Sequence, residues 1–177
     1  GPQTGPAAPW GAVARGTDLL VKIINEEGGI NGRKFKYFLR DDSYQPAKTK
    51  AIAKEFVDQI GVFAVMGGVG TGTGMAVRDY LMENRVLWFS PVSGAYNWIH
   101  PFQKYLFALY PLYDDEAYNL TDYLYAKMGF KKIAMFYQND DYGKQGVMGV
   151  ERYLLRKKIS LVAKVSAEVT DRDLSTH

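Results

Sequence analysis

The run Gly67-Gly68-Val69-Gly70-Thr71-Gly72-Thr73-Gly74 is the segment of this 177-residue chain whose composition most invites chemistry. Glycine-rich loops that lead into a helix can cradle phosphate with backbone N–H groups. This one lacks the Gly-Lys-Ser/Thr ending that grips phosphate and magnesium. Dinucleotide spacing fails too: counted from Gly68, Gly70 or Gly72, the third glycine position holds Thr73, Met75 or Val77. Only His100 and His177 offer an imidazole, and neither lies near a candidate nucleophile, which argues against a serine-histidine arrangement. The carboxylate groups Asp41-Asp42, Asp114-Asp115-Glu116 and Asp140-Asp141 are adjacent pairs in loops or at helix starts, the pattern of solvated caps and not of a metal site. With no cysteine, disulfides, zinc-thiolate sites and thiol nucleophiles are excluded. No catalytic residue, metal or cofactor is therefore expected. What remains is a set of hydroxyls, backbone N–H groups and aromatic rings suited to binding.

The elements that must position these groups follow from periodicity. From Trp10 to Glu27, Ala12, Gly16, Leu19, Leu20, Ile23 and Ile24 recur at helical spacing and predict one buried face. Gly28-Gly29 stops that helix, and Asn31-Gly32 is a second pair at ease in the left-handed region. Arg33 to Arg40 alternates as a strand, with Phe35, Tyr37 and Leu39 on one side. Pro46 starts a helix running to Ile60, and Val62 to Met66 is a short apolar strand. After the glycine run, a helix to Asn84 and the strand Val86 to Phe89 are predicted. The alternation continues with strands at Tyr105 to Leu109, Lys132 to Tyr137 and Ser160 to Glu168, and with helices at Asp115 to Met128 and Gly143 to Lys157. Short apolar strands alternating with amphipathic helices predict an α/β fold with parallel sheets covered on both faces.

In such sheets ligands lie beyond the carboxyl ends of the strands. Four loops qualify: Gly1 to Trp10, Gly67 to Thr73, Ser90 to Ala95, and Gln138 to Tyr142. Each adjoins a helix start, where outward N–H groups favour an anion such as a carboxylate. Aromatic residues make up 14% of the chain, and Trp10, Tyr96, Trp98, Tyr113 and Tyr142 crowd the expected mouth. Flat apolar walls of that kind make an aromatic acid a rival to an aliphatic ligand.

Composition narrows the classes further. With 47% hydrophobic and 23% charged residues, the chain can bury one core or two small ones and is not disordered. Its net charge of +3 is spread along the sequence, without the basic stripe and interleaved aromatics of a nucleic-acid binder. No apolar run approaches the roughly 20 residues a membrane span needs, and no basic-apolar-small leader pattern opens the sequence.

Across nearly its whole length the chain resembles the bacterial leucine/isoleucine/valine-binding proteins, the type I periplasmic receptors of branched-chain amino acid ABC transporters. The resemblance is carried by Gly1 to Pro6, Trp10-Gly11, Gly28 to Arg33, Asp41-Asp42 with Pro46-Ala47, Ser90-Pro91, and Asn139 to Gly143. It implies two doubly wound parallel-sheet lobes that close over a small ligand by hinge motion, present here only in part. It also implies a periplasmic or extracytoplasmic setting, reached with a leader peptide, and a membrane permease as partner. Residues 1–112 would be a segment of lobe I whose central first strand is missing, and 113–177 the start of lobe II, with the remainder of both lobes absent. A sheet without its central strand would leave backbone groups unpaired, so a fragment of a longer protein is expected.

The resemblance assigns ligand positions one at a time. Trp10 matches an aromatic residue that packs over the ligand, although a staple at the helix entry would use it equally. Thr71 matches a hydroxyl residue that binds the ligand carboxylate, and Thr73 lies close by; both could instead cap the helix. Val92 would offer its backbone carbonyl to an amino group. Gly94 falls where the branched-chain receptors carry a threonine, so the hydroxyl is lost and Ser93 could replace it. Tyr142 matches a tyrosine presented by the second lobe, or is an aromatic residue packed at a helix start. The expected function is a non-catalytic receptor for a branched-chain or other hydrophobic amino acid, or for an aromatic acid. A ligand-sensing regulatory module on the same fold is the alternative, and an α/β hydrolase a more distant one.

Overall fold

The computed structural model describes residues 1–175; His177 lies outside the described residues. Backbone packing divides the chain into two compact units. One holds Gly1–Val92 and Tyr105–Phe107; the other holds Ser93–Lys104 and the residues from Ala108 onward. The fold is α/β with parallel sheets, as the alternation predicts.

In the first unit, helix α1 spans Gly11–Glu26 and closes with the Gly29 N–H donating to the Ile24 carbonyl at 2.8 Å. Ile30 and Arg33 then face each other and exchange N–H to carbonyl bonds of 2.9 and 3.0 Å. Between them Asn31 and Gly32 both have positive φ, 51° and 76°. That is the geometry a two-residue hairpin turn demands and Asn-Gly supplies at least cost.

Two sequence expectations in this region do not hold. Residues 34–40 join no ladder, so the predicted strand Arg33 to Arg40 is unpaired beyond Arg33. The Phe35 main chain is held by the Asn25 side chain instead, which donates to its carbonyl at 2.8 Å and accepts its N–H at 2.7 Å. Alternation shows that a segment can be a strand, but a neighbouring edge makes it one. Likewise Leu19, Leu20 and Ile23 of the expected buried stripe are 59, 54 and 42% exposed. A helical period marks the apolar face, and burial needs an element to cover it.

Helix α2, Pro46–Lys54, begins at the proline as expected and continues as a wider turn through Glu55–Ile60. Strand β1, Ala64–Met66, is followed by helix α3, Thr71–Glu83, and strand β2, Leu87–Phe89; strand β3 is Leu106–Phe107. The three strands form one parallel sheet in that order, with Val65 opposite Trp88 and Trp88 opposite Leu106. Helix α3 is the crossover that parallel neighbours require, and it buries Val77 and Leu81. Trp88, almost fully buried, donates its indole N–H to the Gly67 carbonyl at 2.7 Å, which fixes the loop beyond β1.

The second unit repeats the arrangement. Helix α4, Tyr113–Asp122, runs on through Tyr123–Lys127. Strand β4, Ala134–Gln138, helix α5, Asp141–Arg156, and strand β5, Ala163–Ala167, complete it, with β4 and β5 paired in parallel. Its core is Val150, Tyr153 and Leu154 on α5, packed by Ala117, Tyr118, Tyr125, Ile133 and Met135. Arg152 braces the start of α4, reaching Asp114 at 2.8 Å and Asp115 at 2.6 Å while lying over the Tyr118 ring. Among the described residues no helix is long and apolar enough to cross a membrane.

The Asp41-Asp42 pair is not a solvated cap. Asp42 is 2% exposed and accepts from the Tyr44 N–H at 3.0 Å and the Thr49 hydroxyl at 3.3 Å. Asp41 accepts from the Thr4 hydroxyl at 2.5 Å, the Gln3 N–H at 2.7 Å and the Ser43 N–H at 2.9 Å. These bonds, the Thr4 hydroxyl foremost, hold the Asp41 carboxyl well below the usual carboxylate range. A carboxyl lowered in the folded state contributes stability above its unfolded value, near pH 4, and loses it as pH falls toward the folded one. Asp41→Asn should therefore flatten the acid limb of the melting-temperature profile below about pH 4 and speed amide exchange at Gln3 and Thr4. An unchanged acid limb would show that the clasp carries no linkage.

Candidate functional site

In the first unit, two of the expected loops are zipped together beyond the strand ends. Val92 N–H donates to the Gly68 carbonyl at 2.8 Å, Gly70 N–H donates to the Val92 carbonyl at 3.3 Å, and Val69 pairs with Val92 as a parallel bridge. The β1–β2 ladder thus continues for one more register and sets the start of α3 beside Val92. Thr71 is the first residue of α3 and is 1% exposed. Thr73, 3% exposed, donates its hydroxyl to the Val69 carbonyl at 2.5 Å, with the Gly70 carbonyl at 3.2 Å. The Thr73 side chain therefore braces the loop from within, and its single hydroxyl proton is committed to backbone. The Val92 carbonyl, expected to meet an amino group, already accepts one backbone N–H and keeps a second lone pair.

Trp10 closes the short helical turn Ala8–Trp10 and is 52% exposed. Its side lines an apolar groove of about 480 Å³ within the first unit, together with Val13, Val21, Tyr37, Ile52 and Phe56. Thr71, Thr73 and Val92 do not line that groove. The structure brings those three together, while Trp10 lines the groove beside them with Val69, the bridge partner of Val92.

In the second unit, Ser93 and Gly94 are buried and Tyr142 is 45% exposed. The Ser93 hydroxyl oxygen accepts the Ala95 N–H at 3.4 Å. The Gly94 carbonyl accepts the Tyr113 N–H at 2.8 Å. Tyr113 meets Tyr142 edge to face, with ring centroids 4.9 Å apart, and Tyr110 lies 6.0 Å from Tyr113. Burial raises the Tyr113 phenol above its ordinary value, with hydrogen bonds to the Gly94 backbone and the Ser93 side chain acting the other way. It is a neutral hydroxyl at any physiological pH. Asp140 caps α5, accepting the Gly143 N–H at 3.1 Å, and is itself held by the Gln138 amide. Trp98 is 1% exposed, so it belongs to the interior and not to the mouth expected of it. Among the described residues, no group of three or more His, Asp or Glu side chains could hold a metal ion.

The sequence matches the periplasmic binding protein family over residues 1–177. The chain belongs to that family. A Leu/Ile/Val-binding protein homolog of Brucella melitensis is 30% identical over 175 residues, covering 98% of this chain and 47% of the relative. A substrate-binding periplasmic protein from Ralstonia solanacearum, of known structure, superposes with a TM-score of 0.91 at 26% identity, over 99% of this chain and 50% of that one. An ABC transporter substrate-binding protein from Desulfitobacterium hafniense, solved in complex with Leu, gives 0.73 at 28% identity, over 87% of this chain and 46% of that one. This periplasmic binding protein chain spans about half the length of the curated relatives it matches, 47% and 42% for two of them. The family comprises solute receptors and not enzymes, and its membership points to an extracytoplasmic setting.

Two further residues of this periplasmic binding protein shape the segment around Gly94. Gln145 is 8% exposed and accepts the Tyr96 N–H at 2.8 Å, which anchors the segment after Gly94. Its signal was present: Gln145, Gly149 and Tyr153 fall at i, i+4 and i+8, a second buried line on α5 beside Val147, Val150 and Leu154. Tyr113 is one of the aromatic residues of the expected mouth, but its contact with Gly94 spans nineteen positions of sequence and leaves no local trace.

Proposed function

We propose that the whole protein is the extracytoplasmic solute receptor of an ABC importer, binding a small carboxylate-bearing ligand between two lobes and delivering it to a membrane permease. The observation that supports this most is the match of the entire chain to the periplasmic binding protein family, with a Leu/Ile/Val-binding relative at 30% identity. On this reading residues 1–112 belong to the first lobe and 113–177 begin the second. Thr71 and the N–H groups at the start of α3 receive the carboxylate, helped by the positive end of the helix. Trp10, Thr73, Val92, Ser93, Gly94 and Tyr142 are the other proposed contacts. The ligand class is a hydrophobic amino acid, branched-chain ones included, or an aromatic acid.

Ligand that binds only the folded protein raises its melting temperature, by about 2.7 kcal/mol of added stability at a hundredfold excess over Kd. The full-length protein should therefore melt higher with at least one hydrophobic amino acid or aromatic carboxylate at millimolar concentration. Thr71→Val keeps the shape of the side chain and removes its hydroxyl, so affinity should fall about ten- to hundredfold. No shift with any ligand of either class would overturn the proposal.

A further inference from the structure

The groove lined by Trp10 runs between two stretches of main chain. One is residues 35–40, which join no ladder; the other is residues 62–69, which include β1. Among the described residues β1 pairs with β2 alone, so its other edge presents N–H and carbonyl groups with no strand beside them. The side chains between these walls are apolar and come from three helices: Val13 and Val21 of α1, Ile52 and Phe56 of α2, Val77 and Leu81 of α3. Phe35, Phe63 and Met66, also at the groove, are 47, 85 and 54% exposed, which makes a contiguous apolar surface of the kind a folded protein covers.

Gly1 lines the same groove and touches both walls at their carboxyl ends. Its amino nitrogen donates to the Arg40 carbonyl at 3.2 Å, and a Cβ placed on it would lie 3.8 Å from the Val69 N and Cγ2 atoms. A donor of this kind, from a residue seated between two edges, makes the bond of a parallel ladder. From Gly1 the chain leaves the groove: Gln3 and Thr4 are tied to Asp41, and α1 follows. The course open to a residue joined to the Gly1 nitrogen is back along the groove, beside residues 35–40 on one hand and β1 on the other. The six residues of the first wall span about 20 Å when extended, the length of an ordinary strand. This chain covers 47% of its Brucella relative, so a protein of that size has many residues besides these.

We propose that this groove seats a further parallel strand, formed by the about six residues that lead into Gly1 in the full-length protein and rich in Val, Ile and Leu. It pairs with residues 35–40 on one edge and β1 on the other, and joins them into one parallel sheet. The test is hydrogen exchange of the full-length protein, read by mass spectrometry over residues 34–40 and 62–68. The amides of residues 36–40 should exchange at least about a hundredfold more slowly than in an unstructured peptide of the same sequence. Deleting the proposed strand should abolish that protection while β4 and α5 stay protected. If the deleted protein does not fold, Leu39→Cys combined with single cysteines along the proposed strand should form disulfides at alternate positions only, the period of a strand. Rapid exchange at residues 36–40, protection that survives the deletion, cross-links without alternation, charged residues along the segment, or a full-length chain that begins at Gly1 overturns the proposal. Protection that rises with protein concentration gives the groove to a second copy and overturns it too. Each of these outcomes leaves the receptor reading, which is tested by ligand binding, where it stood.

Discussion

Leu154→Ala is expected to destabilise the protein by about 2–5 kcal/mol, the range for emptying a leucine site in a well-packed core. Leu154 is 1% exposed on the inner face of α5, beside Val150 and Tyr153 and facing side chains from α4 and β4. Its neighbours are held from several directions: Tyr153 packs edge-on against both Tyr118 and Tyr125, at 5.3 and 5.9 Å, so they cannot easily collapse into the space left behind. Loss of dispersion contacts around the rigid rings then adds to the lost burial. Denaturant unfolding of the full-length protein, followed by tyrosine fluorescence and circular dichroism, checks this. A cost below about 1 kcal/mol would mean that the cluster repacks freely.

Gly94→Thr should be nearly as damaging, and for the opposite reason. It would add a hydroxyl at this position, but the new side chain has nowhere to go: the obstacle is the Pro111 backbone, which cannot rotate away like a side chain. Overpacking of this kind costs about 1–3 kcal/mol. The Tyr113 N–H to Gly94 carbonyl bond lies directly beside the clash and would be strained with it. Gly94→Ala should show most of the same loss, since the clash begins at Cβ. Thermal melting of both variants beside wild type decides it. A Gly94→Thr protein that melts like wild type would show that Pro111 and Tyr113 yield.

How much of this was legible in the sequence depends on the range of the interaction concerned. Pro46 as a helix start, Gly28-Gly29 as a helix stop and Asn31-Gly32 as a two-residue turn are all present in the structure, because each is decided by backbone sterics within a few residues. The alternation of short apolar strands with helices foretold the parallel sheets, although each strand is shorter than its apolar run. Ladders end where the partner ends, and no run of residues contains that information. Of the candidate site, the loops were found by rule, since strand-to-helix connections of parallel sheets gather at one end. The pairing of Val69 with Val92 and the commitment of the Thr73 hydroxyl to Val69 were not.

By itself the sequence determined the order and kind of the elements, the turns between them and the family to which the chain belongs. Those are properties of local sterics and of residues in a fixed order. Tertiary structure alone decided that Phe35 is tied to Asn25 and not to a neighbouring strand, that Leu19, Leu20 and Ile23 stay exposed, that Asp41 clasps the Gln3-Thr4 loop, and that Tyr113 and Pro111 leave Gly94 no room for a side chain. Pairing and burial are relations between two surfaces, and a periodic pattern describes only one of them.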